Sequence, residues 1–84
     1  MLKIIYFASL KEKVGRAEEQ LELPESVATL ADLIAHLSEL HGPTWADAIN
    51  GTPVLTAVNH AMCERSESIK DGDEIAFFPP VTGG

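Results

Sequence analysis

The chain has 84 residues, 45% hydrophobic and 23% charged; this is the make-up of one globular domain that buries about 60–65% of its unfolded surface around a modest core, with no deep cleft. Six Lys and Arg against 13 Asp and Glu give a net charge of −7 and a pI near 4.7. That balance excludes a nucleic-acid face built on phosphate neutralisation, opposes an anionic membrane surface, and suits a basic protein partner.

Met1 to Ala8 (MLKIIYFA) is rich in Ile, Tyr and Phe and reads as a strand buried on both faces. The stretch lacks the leader, long apolar run and cleavage site of a signal peptide, and no run reaches the roughly 18–20 apolar residues of a membrane span. A single cysteine, Cys63, excludes an internal disulfide and fits a reducing compartment. A cytoplasmic protein is expected.

Ser9 to Gly15 (SLKEKVG) predicts one or two helical turns closed by Gly15, and Ala17 to Leu23 (AEEQLEL) a half-exposed strand closed by Pro24. Thr29 and Asp32 have the spacing of a capping box. Leu30, Leu33, Ile34, Leu37 and Leu40 follow at offsets of a single apolar helical stripe, which Gly42-Pro43 ends. Thr44 to Ile49 predicts a short second helix around Trp45, with a turn at Asn50-Gly51. Val54 to Asn59 reads as a strand, His60 to Ile69 as irregular and polar, and Glu74 to Phe78 as the last strand, entered through the turn at Lys70–Asp73. Strands at either end of one main helix predict an α+β fold, a mixed sheet with that helix across one face.

The side chains offer little catalysis. His60 and Cys63 are three apart and His36 and His41 five apart; two ligands do not make a zinc site, and no acid completes a triad. No metal site is expected. Glu18, Glu19, Glu22, Glu64, Glu67, Asp71, Asp73 and Glu74 fall on predicted edges and turns, where they stay solvated and ionised. No phosphate loop, dinucleotide fingerprint or nucleophile elbow is present.

The ending FFPPVTGG carries the most information. At a glycine frequency of ~7%, two final glycines arise by chance about once in 200 chains. Phe78 ends a strand because Pro79 cannot donate to the ladder, and Pro79-Pro80 favours an extended arm. Residues 79–84 reach about 20 Å, far enough for a terminus to enter another protein's pocket. This divides the chain into a body, 1–78, and a flexible tail, 79–84. Gly83 and Gly84 carry no Cβ, so they fit a narrow channel and leave the terminal carbonyl open to attack. Such a carboxylate suits acyl activation, with the protein as substrate rather than catalyst.

The sequence DGDEIAFFPPVTGG, together with KIIYFASLKEKVG and LTAVN, resembles the family of molybdopterin synthase small subunits (MoaD) over nearly the whole chain. The resemblance implies a β-grasp, ubiquitin-like fold and a sulfur-carrier role. An E1-like adenylyltransferase (MoeB-like) would adenylate Gly84 using ATP, and sulfur transfer would convert it to a thiocarboxylate. The tail, Pro79, Pro80, Val81, Thr82 and Gly83, would then enter the large synthase subunit (MoaE-like) within a heterotetramer. There it would donate sulfur to precursor Z (cyclic pyranopterin monophosphate). No cofactor is expected on the chain itself, which acts as a non-catalytic, sulfur-donating cosubstrate. Carriers for thiamine or tRNA thiolation, a lysine-conjugated protein tag, and a plain interaction domain are the other readings. Phe77 and Phe78 point to opposite faces of their strand; Phe77 is expected beneath the helix, and Phe78, joined by Met62, on an exposed apolar patch used by partners.

Overall fold

The protein is described here by a computed structural model, which covers residues 1–51 and 53–80. Strand β1 (Leu2–Tyr6) alternates between buried Leu2, Ile4 and Tyr6 and half-buried Lys3 and Ile5. Only one of its faces is therefore sealed; the expectation of burial on both is corrected. Its chain reverses through α1 (Ser9–Val14), which Gly15 closes at φ 80°, a left-handed cap that glycine adopts without steric cost. β2 (Glu18–Leu21) then returns antiparallel to β1, pairing Leu2 with Leu21 and Ile4 with Glu19.

The capping box starts α2 (Leu30–His41). The Asp32 amide donates to Thr29 Oγ1 at 3.2 Å, and the Thr29 and Ala28 amides donate to Asp32 Oδ2 at 3.1 and 3.0 Å. Those two backbone donors hold the Asp32 carboxyl below its ordinary value. Leu30, Leu33, Ile34 and Leu37 are buried, but Leu40 is 59% exposed and leaves the predicted stripe. Ten residues do not complete a whole number of turns, and Leu40 lies about 80° round the helix from Leu30. Gly42, at φ 90°, turns the chain into α3 (Pro43–Asn50), whose first position is proline.

β3 (Leu55–Val58) and β4 (Ala61–Cys63) form a hairpin around Asn59 and His60, both at positive φ. β4 falls within the stretch expected to be irregular. Three residues are too few to carry a period, and Asn-His is not the usual glycine-containing hairpin turn. β5 (Glu74–Phe78) lies parallel to β1 and antiparallel to β3. The sheet order is β2-β1-β5-β3-β4. Buried residues of β1, β3, β5 and all three helices form one cluster, with Trp45, Tyr6 and Phe77 its largest members. A mixed five-stranded sheet with helices across one face is the β-grasp arrangement.

Candidate functional site

Strand register decides which side chains share the face that the helices leave uncovered. Leu55 pairs with Phe78, Ala57 with Ala76, and Met62 with Ala57. Since successive residues point to opposite faces, all five lie on the side away from the helices, as does Ile5 opposite Ala76. Phe7 continues the line: its amide donates to the Phe77 carbonyl at 3.0 Å, and its ring stacks on Phe78 with centroids 4.7 Å apart and planes at 10°.

The result is an open apolar groove lined by Phe7, Ala8, Leu55, Met62 and Phe78, with Pro79 and Pro80 along its rim. Phe7 is 41% exposed, Leu55 39% and Met62 59%, while Phe78 and Pro79 are half-buried. Six of these seven residues are apolar well beyond alanine in size, on a face that, among the described residues, no second layer covers. Groups of exposed apolar side chains of this kind mark interaction sites rather than ordinary surface. Met62 reaches the groove from β4 rather than from an irregular loop. Phe77, one residue before Phe78, is fully buried on the helix side, stacked on Tyr6 at 5.7 Å and edge-on to Trp45 at 6.1 Å.

The strand that delivers Phe78 passes straight into Pro79 and Pro80, so the groove lies where the chain departs toward its last residues. Val81, Thr82, Gly83 and Gly84 lie outside the described residues. Phe7, Ala8 and Leu55 were not singled out from the sequence. Their signal was nevertheless present: β1 is apolar at both parities, and a chain with one main helix covers only one face.

The other candidates separate. His60 sits on the β3–β4 turn with Nε2 3.3 Å from Glu74 Oε2, whereas Cys63, on β4, is half-buried against the core and its carbonyl accepts from Thr56 Oγ1. His36 is half-buried on α2. His41 Nε2 meets both oxygens of Glu19, at 2.9 and 3.1 Å, and a carboxylate accepts only, so the imidazole donates. Glu19 also accepts from Tyr6 Oη at 2.7 Å, and Tyr6 Oη accepts from Trp45 Nε1 at 2.9 Å. Burial first, and then the bond to Glu19, raise the Tyr6 phenol well above its ordinary value.

Three acids depart from the expectation of full solvation: Glu19, Asp73 and Glu74, the last half-buried at the start of β5 beside His60. Glu19 faces inward opposite Ile4 because it is needed as an acceptor at the sheet edge. Asp73 is buried, accepting from Asn59 Nδ2 and the Lys70 amide at the entry to β5. Glu19 and Asp73 are structural acceptors on the side or end of the domain away from the groove.

Comparison with known proteins agrees with this architecture. Residues 4–84 match the ThiS family. The chain is 38% identical to the molybdopterin synthase sulfur carrier subunit of Haemophilus influenzae and 37% identical to that of Escherichia coli, each over 100% of both chains. The crystal structure of small archaeal modifier protein 1 (SAMP1) from Haloferax volcanii superposes with a TM-score of 0.78 at 26% identity, covering 99% of this chain and 98% of that one. With its β-grasp sheet and end-to-end similarity, the chain belongs to the ThiS family, among the sulfur carrier subunits of molybdopterin synthase.

Proposed function

We propose that the chain carries sulfur as a thiocarboxylate on Gly84 and surrenders it to precursor Z inside molybdopterin synthase. The observation that supports this most is the alignment with named sulfur carrier subunits through the final residue of both chains. In the first step a Gly84 carboxylate oxygen attacks the α-phosphorus of ATP held by an E1-like adenylyltransferase, and pyrophosphate leaves. Hydrosulfide, or a protein persulfide whose S–S bond a thiol afterwards reduces, then attacks the acyl carbon; AMP leaves and the thiocarboxylate remains. The thiocarboxylate is a softer nucleophile than a carboxylate and is anionic at neutral pH.

The apolar groove provides the docking surface for the large synthase subunit, with Phe78 and Met62 as anchors, and the chain from Pro79 to Gly84 enters that subunit's active site. Glycine at both final positions lets the arm pass a narrow channel. A dithiolene takes two sulfurs and each terminus carries one, so two loaded carriers act in turn, and the interface must release as well as bind. The cytoplasm, where ATP and the pterin precursor meet, is the place of action.

Mass spectrometry of protein isolated from its host tests the assignment. The expected species has one oxygen replaced by sulfur, located at Gly84 by fragmentation. The likeness to SAMP1 supports a second reading, a protein tag; lysine-linked conjugates without the sulfur-bearing species would favour it and overturn the carrier.

A further inference from the structure

The turn leaving β1 contains an amino acid that its geometry disfavours. Leu10 N–H donates to the Phe7 carbonyl at 3.2 Å, closing a four-residue turn with Ala8 at its second position. Ala8 has φ 52° and ψ −131°, the values of a type II′ turn, in which this position belongs to glycine. A Cβ there is strained, at a cost that persists only where the surroundings or a function demand it. The fold itself makes no such demand. Ala8 is exposed, makes no side-chain cap for α1, and stands outside the buried cluster. Ala8 does line the groove, together with Phe7, Leu55, Met62 and Phe78.

We propose that Ala8 is a binding residue for the large synthase subunit, an alanine that sacrifices stability of the free carrier for an apolar contact in the complex. This rests on the groove being the docking surface. The methyl adds apolar area to the groove that the Phe7–Phe78 stack and Pro79-Pro80 also line, and the restricted backbone holds Phe7 against Phe78 before the partner arrives. Glycine would relax the turn while removing both the methyl and the restriction.

Ala8→Gly is therefore expected to move stability and affinity in opposite directions. Tm of the free carrier should rise by about 4–8 °C. Affinity for the purified large subunit of molybdopterin synthase, measured by calorimetric titration, should weaken about three- to fivefold, the loss of one buried methyl group. Phe78→Ala is titrated beside it. If Phe78→Ala weakens binding and Ala8→Gly binds like wild type, Ala8 is no binding residue and the docking surface stands. An unchanged or lowered Tm for Ala8→Gly removes the strain and overturns the exchange. Wild-type carrier that fails to bind, or Phe78→Ala that binds normally, overturns the docking surface and this inference with it.

Discussion

The two faces of the sheet are both apolar, yet they obey different rules. On the inner face Ile4, Tyr6, Ile75 and Phe77 are sealed beneath α2 and α3 and joined by ring packing. A polar line there, Trp45 to Tyr6 to Glu19 to His41, is hydrogen-bonded at every step. On the outer face Phe7, Leu55 and Met62 remain in water, and the turn at its rim holds a strained alanine. Adjacent residues of one strand, Phe77 and Phe78, thus divide between the sealed core and the proposed docking face, because a strand distributes alternate side chains to opposite sides.

The sharpest way to break this division is to leave both faces intact and remove what lies beyond them. Deleting Gly83 and Gly84 is expected to abolish sulfur transfer and leave the thermal melt unchanged; retained activity, or a large loss of stability, would refute the proposed role of the terminus. Phe77→Ala and Phe78→Ala come next. Phe77→Ala should cost about 3–5 kcal/mol of stability, a large share of the ~5–15 kcal/mol that holds a domain folded. Phe78→Ala should cost about 2–4 kcal/mol of affinity for the large subunit and for the activating enzyme, with Tm close to wild type. Melts that rank the two variants the other way would place the core on the wrong face.

Glu19→Ala tests the inner polar line. It leaves the buried Tyr6 hydroxyl and the His41 ring without their acceptor, an expected loss of about 1–3 kcal/mol. The same line predicts alkaline sensitivity. Folding raises the Tyr6 value, so its contribution is full below the unfolded value of about 10 and declines as pH climbs above it. Tyr6 is the chain's single tyrosine, so tyrosinate absorbance reports it alone; ionisation with the unfolded midpoint in the native protein would contradict the network.

A smaller effect is expected at the α2 cap. Asp32→Ala should lower Tm only slightly, since Asp32 supplies the N3 half of the capping box. Because folding lowers the Asp32 value, the wild-type contribution is present above about pH 4 and is lost as pH falls through the folded value. Wild type and variant should converge in acid, and a constant difference between them would exclude the cap carboxylate as its source. Cys63→Ala is expected to change least: single-turnover transfer from a pre-formed thiocarboxylate should match wild type, and a tenfold drop with intact folding would make Cys63 a sulfur relay.

Legibility in the sequence followed periodicity. α2 was readable to its cap because Thr29 and Asp32 act locally and four leucine and isoleucine positions repeat at helical spacing. Alternation put Phe77 and Phe78 on opposite faces, and the Pro79-Pro80 arm that follows marked Phe78 as the outer one. β4 was hidden by its brevity, and Glu19 by its surroundings, since Glu18, Glu19 and Glu22 look alike until pairing sets Glu19 beside Ile4 and Tyr6. The groove was half-readable. Phe78 and Met62 carried size and position, whereas Phe7, Ala8 and Leu55 join them only through register and an unusual turn.

The place of β5 in the sheet has a consequence for how the molecule is made. Among the described elements this strand comes last in sequence, yet it occupies the middle of the sheet, between β1 and β3. Translation delivers the N-terminal segments first, and until β5 emerges β1 has no partner on that side and Phe77 is missing from the core. The decisive pairings span most of the chain, the kind that close late in folding. A ribosome product cut short before Glu74 would therefore remain unfolded and open to proteolysis. Folding itself acts as a completeness check, admitting to the working pool only molecules that already possess the strand leading into Pro79 and Pro80.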